Sequence, residues 1–192
     1  IQAARASQAA ALAAEVAAVA DRLHAAWSAE GGDWSTVLAE AGEEGNPYPS
    51  VEAGLDDVFR ALFYVELGVK DRKLGEVLGL VDCEVESCPQ NVEAQLANAS
   101  VAAVAANLEG FEALYLGGEG AGLDDLLVDR GHEDVHEAIV AELARAQAAV
   151  ASLTLPLEDA ATDATTLAAF EEVKRLTDLV KGDLATVLSL TV

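Results

Sequence analysis

Alanine supplies much of the apolar content of this chain, and that bias narrows the possible folds more than any other feature. Apolar residues make up 52% of the 192 positions and aromatics only 5%. Alanine is the strongest helix former and is depleted in strands, and its small side chain lets helices approach closely. The composition therefore predicts packed helices rather than sheets. The same apolar fraction separates the chain from disordered acidic tails, which cannot bury enough surface to offset the entropy of ordering. Its length suits a single domain of ordinary size. No apolar run reaches the roughly 20 residues of a membrane helix, so no transmembrane segment is expected.

Charge excludes one class of partner. Asp and Glu number 34 against 11 Lys and Arg, giving 11 − 34 = −23. A nucleic-acid backbone is bound by basic side chains that displace its counterions, and the few lysines and arginines here form no basic run. No nucleic-acid partner is expected, and an anionic membrane surface is disfavoured by the same repulsion. The excess reads as a solubility or high-salt adaptation spread over helix faces.

Glycine and proline punctuate the chain. The first helix is predicted over Gln2 to Ala29, ended by Gly31-Gly32, and a short one from Trp34 to about Ala41 after Asp33. Gly42, Gly45, Asn46, Pro47 and Pro49 make a loop, and Ser50 restarts a helix that runs to about Lys73. A second loop from about Gly75 to Gln90 carries Cys83 and Cys88. Asn91 to Leu116 is the next long helix, ended by Gly117-Gly118-Glu119-Gly120, a turn rather than a phosphate loop because no strand precedes it and no lysine follows. A short helix covers Leu123 to Val128, another His132 to Leu153, and the last opens at Asp163 and runs to about Leu190. Four long helices with one more at the N-terminus predict an all-α antiparallel bundle. No fixed-period repeat or heptad array stands out.

The two cysteines lie five apart in a loop, a spacing that suits a local disulfide in an oxidising compartment or two free thiols. Two ligands fall short of the four that a structural zinc site takes. On helical wheels, Glu66, Lys70 and Lys73 fall on the face that carries Val51, Leu55, Phe59, Leu62 and Val69, and Ser100 and Asn107 fall inside the apolar arc of the next long helix. Charges on an oily face must pair, reach water, or face a cavity. Two readings stand: an ion-pair network with snorkelling lysines, or a ligand pocket among the helices with Ser100 and Asn107 as its hydrogen-bonding wall. Trp27, Trp34, Tyr48, Phe59, Phe63, Phe111 and Tyr115 read as core before they read as a ligand groove.

His132-Glu133-Asp134-Val135-His136 spells H-E-x-x-H, in which two imidazoles one turn apart hold zinc and the glutamate activates water. The preceding Asp129-Arg130-Gly131 puts His132 at a helix start, and neither His24 nor Glu137 nor Glu142 stands at a recognisable third-ligand spacing. The acidic first turn has an ordinary use in opposing the helix dipole. The pair His132 and His136 is thus at most a place for a divalent metal ion. No Ser/His/Asp or Cys/His nucleophile arrangement is evident.

Four runs together resemble the C-terminal half of the imelysin-like family: Glu66-Leu67-Gly68-Val69-Lys70-Asp71-Arg72-Lys73-Leu74-Gly75, Asn107-Leu108-Glu109-Gly110-Phe111-Glu112-Ala113-Leu114-Tyr115, Gly122-Leu123-Asp124-Asp125-Leu126-Leu127, and Leu176-Thr177-Asp178-Leu179-Val180-Lys181-Gly182-Asp183. The resemblance implies a bacterial periplasmic or surface protein, often a lipoprotein, built from two helical-bundle halves with a site between them and linked to iron acquisition. The founding member was described as a metalloprotease. The family's G-x-H-x-x-E signature is matched at none of His24, His132 or His136, so its metal ligands cannot be carried over. The expectation is a chain whose N-terminal half, or a second bundle, is its partner, with a lipid anchor upstream of Ile1 as a further implication. Glu66, Lys70, Lys73, Ser100 and Asn107 would then face the junction between halves as a ligand-binding set. A noncatalytic binding role follows, with a zinc peptidase built on His132, Glu133 and His136, or a purely structural half-domain, as the alternatives.

Overall fold

The computed structural model describes residues 2–118 and 120–190, and every regular element among them is helical. Two compact units divide between Leu55 and Asp56.

In the first unit, helix α1 (Gln2–Trp27) runs for 26 residues without a glycine or proline. It stops at a turn whose Gly31 and Gly32 amides bond back to the Ser28 and Ala25 carbonyls at 3.0 and 3.1 Å. A Cβ on Gly31 would stand 1.9 Å from the Ala25 carbonyl oxygen, so only glycine fits there. After the short α2 (Trp34–Ala39) the loop is tied by the Asn46 side chain, which donates to the Val37 carbonyl at 2.8 Å and accepts from the Tyr48 amide at 2.9 Å. Ser50 caps α3 (Val51–Leu62), its hydroxyl oxygen accepting from the Ala53 amide at 3.2 Å. That helix leads into the second unit.

There a ring of four helical segments closes on itself. A π-helical segment (Val65–Gly75) packs against α4 (Ser100–Tyr115) and α7 (Ala164–Leu179), and α6 (Glu133–Ala151) packs against the same two helices from the other side. The interior is filled by Leu62, Val65, Val69, Val104, Leu108, Phe111, Ile139, Val173 and Leu176, all buried. Helix α5 (Leu123–Asp129) packs on α4 and α6, and α7 continues through a second π segment (Val180–Leu184) into α8 (Ala185–Leu188). This is the all-α helical bundle that the composition predicts.

The differences from expectation lie in how helices begin and continue. The helix expected over Ser50 to Lys73 changes its winding after Leu62, and at the end of the π segment the Glu76 amide reaches five residues back, to the Asp71 carbonyl at 2.7 Å. The helix expected from Asn91 starts only at Ser100. Single 3₁₀ turns occupy Pro89–Asn91 and Gln95–Ala97, and Ala94 and Asn98 take left-handed φ of 59° and 49°, which a continuous α-helix does not allow. Leu96, in the second of these turns, is fully exposed. Cys83 and Cys88 form a disulfide, Cα to Cα 6.0 Å, and the Cys88 amide anchors the loop to the Val77 carbonyl at 3.0 Å. Of the glycine-rich turn after α4, Glu119 lies outside the described residues, as does the Ile1 start of the first helix.

Candidate functional site

The two π segments meet over charged groups. Glu66, near the start of the first, and Lys181, in the second, are joined by a hydrogen bond from Nζ to Oε1 of 2.8 Å. Lys70 stands 3.6 Å from the same Oε1 and also pairs with Asp71. Lys181 continues to Asp178 Oδ1 at 3.1 Å, and Asp178 to Lys174 at 2.5 Å. Three carboxylates and three ammonium groups therefore alternate from Asp71 through the buried Lys70 and out to the exposed Lys174. The Lys70 ammonium also lies 5.7 Å from the centre of the Phe170 ring, a cation–π contact that helps hold it inside.

Glu66 is the unusual member. Its Oε2 is shielded from solvent and makes no hydrogen bond. It borders a cavity of about 10 Å³ lined by Leu62, Phe63, Phe111, Thr177 and Val180, with room for about one water molecule. The neighbouring Thr177 spends its hydroxyl proton on the Lys174 carbonyl at 2.9 Å. Burial pushes the Glu66 carboxyl up, but the Lys181 bond and the charges of Lys70 and Lys181 outweigh it and leave the group below the usual carboxylate range. Lys181 is the mirror case, with burial pulling it down and Glu66 and Asp178 raising it above the usual lysine value.

The other three residues expected at this site take separate partners. Lys73 pairs with Glu93, with burial lowering its pKa, and borders an open groove of about 460 Å³ with Gly68, Arg72, Glu76 and Asn91. Ser100 is buried and acts twice, donating to Glu158 Oε2 at 3.1 Å and accepting from the Leu157 amide at 3.2 Å. Asn107 contributes its backbone carbonyl, which accepts from the Tyr64 hydroxyl, and Gly110 leaves that hydroxyl room. Lys70 and Ser100 are thus buried, while Glu66, Lys73 and Asn107 are half-buried. The inward turn read from the wheels is present, but only Glu66 and Lys70 of the five share contacts.

The H-E-x-x-H run sits where its flanking residues place it. His132 is the residue before α6, Glu133 is exposed, and His136 Nδ1 lies 3.2 Å from the Tyr115 hydroxyl, with the two rings stacked at 6.1 Å. Burial, with the charge of Asp124 beside it, raises the Tyr115 pKa, and the tautomer of His136 sets which of the two groups donates. Among the described residues no three His, Cys, Asp or Glu side chains converge as a metal site would need. A resident metal does not fit the donor set of the described residues.

Sequence reasoning gave no structural role to two carboxylates, the buried Glu142 and the half-buried Glu158. Glu142 is buried between α6 and α7, where Arg145 pairs with it and Arg175 donates to it at 3.1 Å. Glu158 answers Ser100. A glutamate with arginine three residues on, as in Glu142 and Arg145, is the local signal for the first; no signal marks the second.

Neither the curated proteins nor the solved structures yield a match. The family model of imelysin, peptidase family M75, matches residues 2–181, nearly the whole length and including the first unit, which the four resembling runs do not reach. On that match, this chain belongs to the imelysin family.

Proposed function

We propose that this chain is a noncatalytic binding protein of the bacterial cell envelope, in the periplasm or at the surface, that serves iron or metal acquisition. The observation that carries the reading is the Glu66 carboxylate, held by Lys70 and Lys181 on opposed segments, with one oxygen buried and without a hydrogen bond, in a residue that lines a small cavity. A fixed polar group of this kind suits recognition. Membership of the imelysin family and the Cys83–Cys88 disulfide both favour an oxidising, extracytoplasmic compartment. Iron would be cargo rather than a resident cofactor. A second bundle, or the partner half of a longer protein, would complete the binding surface.

Titration calorimetry with ferric citrate and with zinc chloride tests this on the intact chain. Binding of either probe that is lost in Glu66→Ala and Lys70→Ala, with helicity unchanged, is the expected result, and Asn107→Ala reports whether that residue belongs to the surface. Binding that survives both of the first two substitutions would overturn the assignment.

A further inference from the structure

We propose that α1 pairs antiparallel with α1 of a second copy of this chain. Leu12, Val16, Val19 and Leu23 recur at intervals of four, three and four, which aligns them in one stripe along the helix. All four are exposed, from 48% at Val19 to 69% at Val16. Isolated exposed apolar residues are ordinary on a protein surface, whereas a contiguous stripe marks a surface that meets something. At two heptads the pattern is too short to register as an array along the sequence; its exposure is what reveals it.

Charge identifies the occupant. Arg5 and Arg22 balance Glu15 and Asp21, so α1 is neutral within a chain of net charge −23, and two copies can meet along it without adding like charge. The flanks of the stripe then select the direction. Glu15 and Arg22 lie seven residues apart on one flank, both about two-thirds exposed and only 3.8 Å apart within the helix. Running two helices antiparallel with Val16 opposite Val19 and Leu12 opposite Leu23 puts Glu15 of each copy against Arg22 of the other, twice per pair by the twofold symmetry of an isologous contact. On the opposite flank the same register sets Ala13 against Ala20, which lets the helices come close. A parallel pairing faces Glu15 with alanine and matches no charges. Arg5 also arrives at the C-terminal end of the partner helix, where a cation is favoured.

Light scattering on the intact chain, followed over protein concentration, tests the pairing. The expected mass is twice 19.8 kDa. Glu15→Arg and Arg22→Glu should each weaken dimerisation about tenfold or more by placing like charges across the pair, and the double reversal should restore it. Circular dichroism on each variant separates loss of pairing from loss of helix. A monomer at every concentration overturns the proposal, including a monomer whose α1 amides resist hydrogen exchange, since another segment of the chain would then cover the stripe. So does a dimer indifferent to either reversal, or a double variant as weak as the singles.

Discussion

Single residues in this bundle differ sharply in what their polar atoms are asked to do. Ser100 satisfies a buried amide and a carboxylate at once, so removing its hydroxyl strands the Leu157 N–H and leaves Glu158 without its donor. Stranding a buried donor costs about 1–3 kcal/mol, so Ser100→Ala should lower the urea unfolding free energy by about that much with an unchanged slope. Glu66 behaves differently because its contribution depends on pH. Its folded pKa lies below the ordinary 4.5, so the unfolded state takes up the proton first as pH falls. The stabilisation is complete above 4.5 and is lost as pH drops through the folded value. Lys181, raised above 10.5, contributes fully below 10.5 and loses its share only above that. Unfolding midpoints measured from pH 7 down to pH 3 should therefore fall more steeply in the wild type than in Glu66→Gln, and parallel curves would show that this carboxylate is not the group responsible. The inward turn of these side chains was legible in the sequence because a charge on an oily face has few options. Their partners were not, since Lys181, Glu93 and Glu158 come from segments whose placement no local pattern encodes.

At the scale of elements, the legible part was the number and order of helices, set by alanine content and by glycine and proline breaks. What escaped was winding. A wheel drawn at about 100° per residue assumes the α repeat, and Val65–Gly75 departs from it. Each π turn takes in an extra residue, so positions late in the segment rotate away from where the wheel puts them. That accounts for Lys73 leaving the Glu66 group for Glu93. Two glycines in this segment make the point testable. A Cβ on Gly68 would meet nothing within 4 Å, whereas on Gly75 it would stand 2.9 Å from Val81 Cγ2 and 3.0 Å from the Lys70 carbonyl oxygen. Gly68→Ala should stabilise by about 0.4–1 kcal/mol through the unfolded chain, and Gly75→Ala should destabilise by about 1–3 kcal/mol through overpacking. Thermal melts of the two variants should shift in opposite directions; a shared direction would mean that the crowding at Gly75 relaxes without cost. The disulfide closes only a short loop, so its loss in Cys83→Ser with Cys88→Ser should cost about 2 kcal/mol, read as a lower melting temperature that reductant no longer changes.

For the molecule as a whole, the charge imbalance sets how stability responds to salt, and two opposing effects decide its sign. Salt screens attraction within ion pairs and repulsion between like charges alike. Even if every Lys and Arg were matched to one carboxylate, 34 − 11 = 23 acidic groups would remain unmatched, so salt relieves more repulsion than it weakens attraction. The exposed pairs at risk, such as Arg60 with Asp57, contribute about 0–1 kcal/mol each. The pairing of Glu142 with Arg145 and Arg175 involves a buried carboxylate and is screened less. Compaction brings the unmatched charges together, so the folded state suffers the repulsion more than the expanded one. The melting temperature should therefore rise as sodium chloride is raised from about 10 mM to about 1 M, over which the screening length contracts from about 30 to about 3 Å. Sodium chloride is the suitable salt, because sulfate would strengthen apolar burial and raise stability for another reason. A melting temperature that falls over this range would mean that the ion pairs on the two π segments outweigh the whole acidic surface. The same titration bears on α1, because its pairing relies on an apolar stripe between neutral helices: screening should strengthen association of the acidic chains even as it weakens the Glu15 to Arg22 contacts.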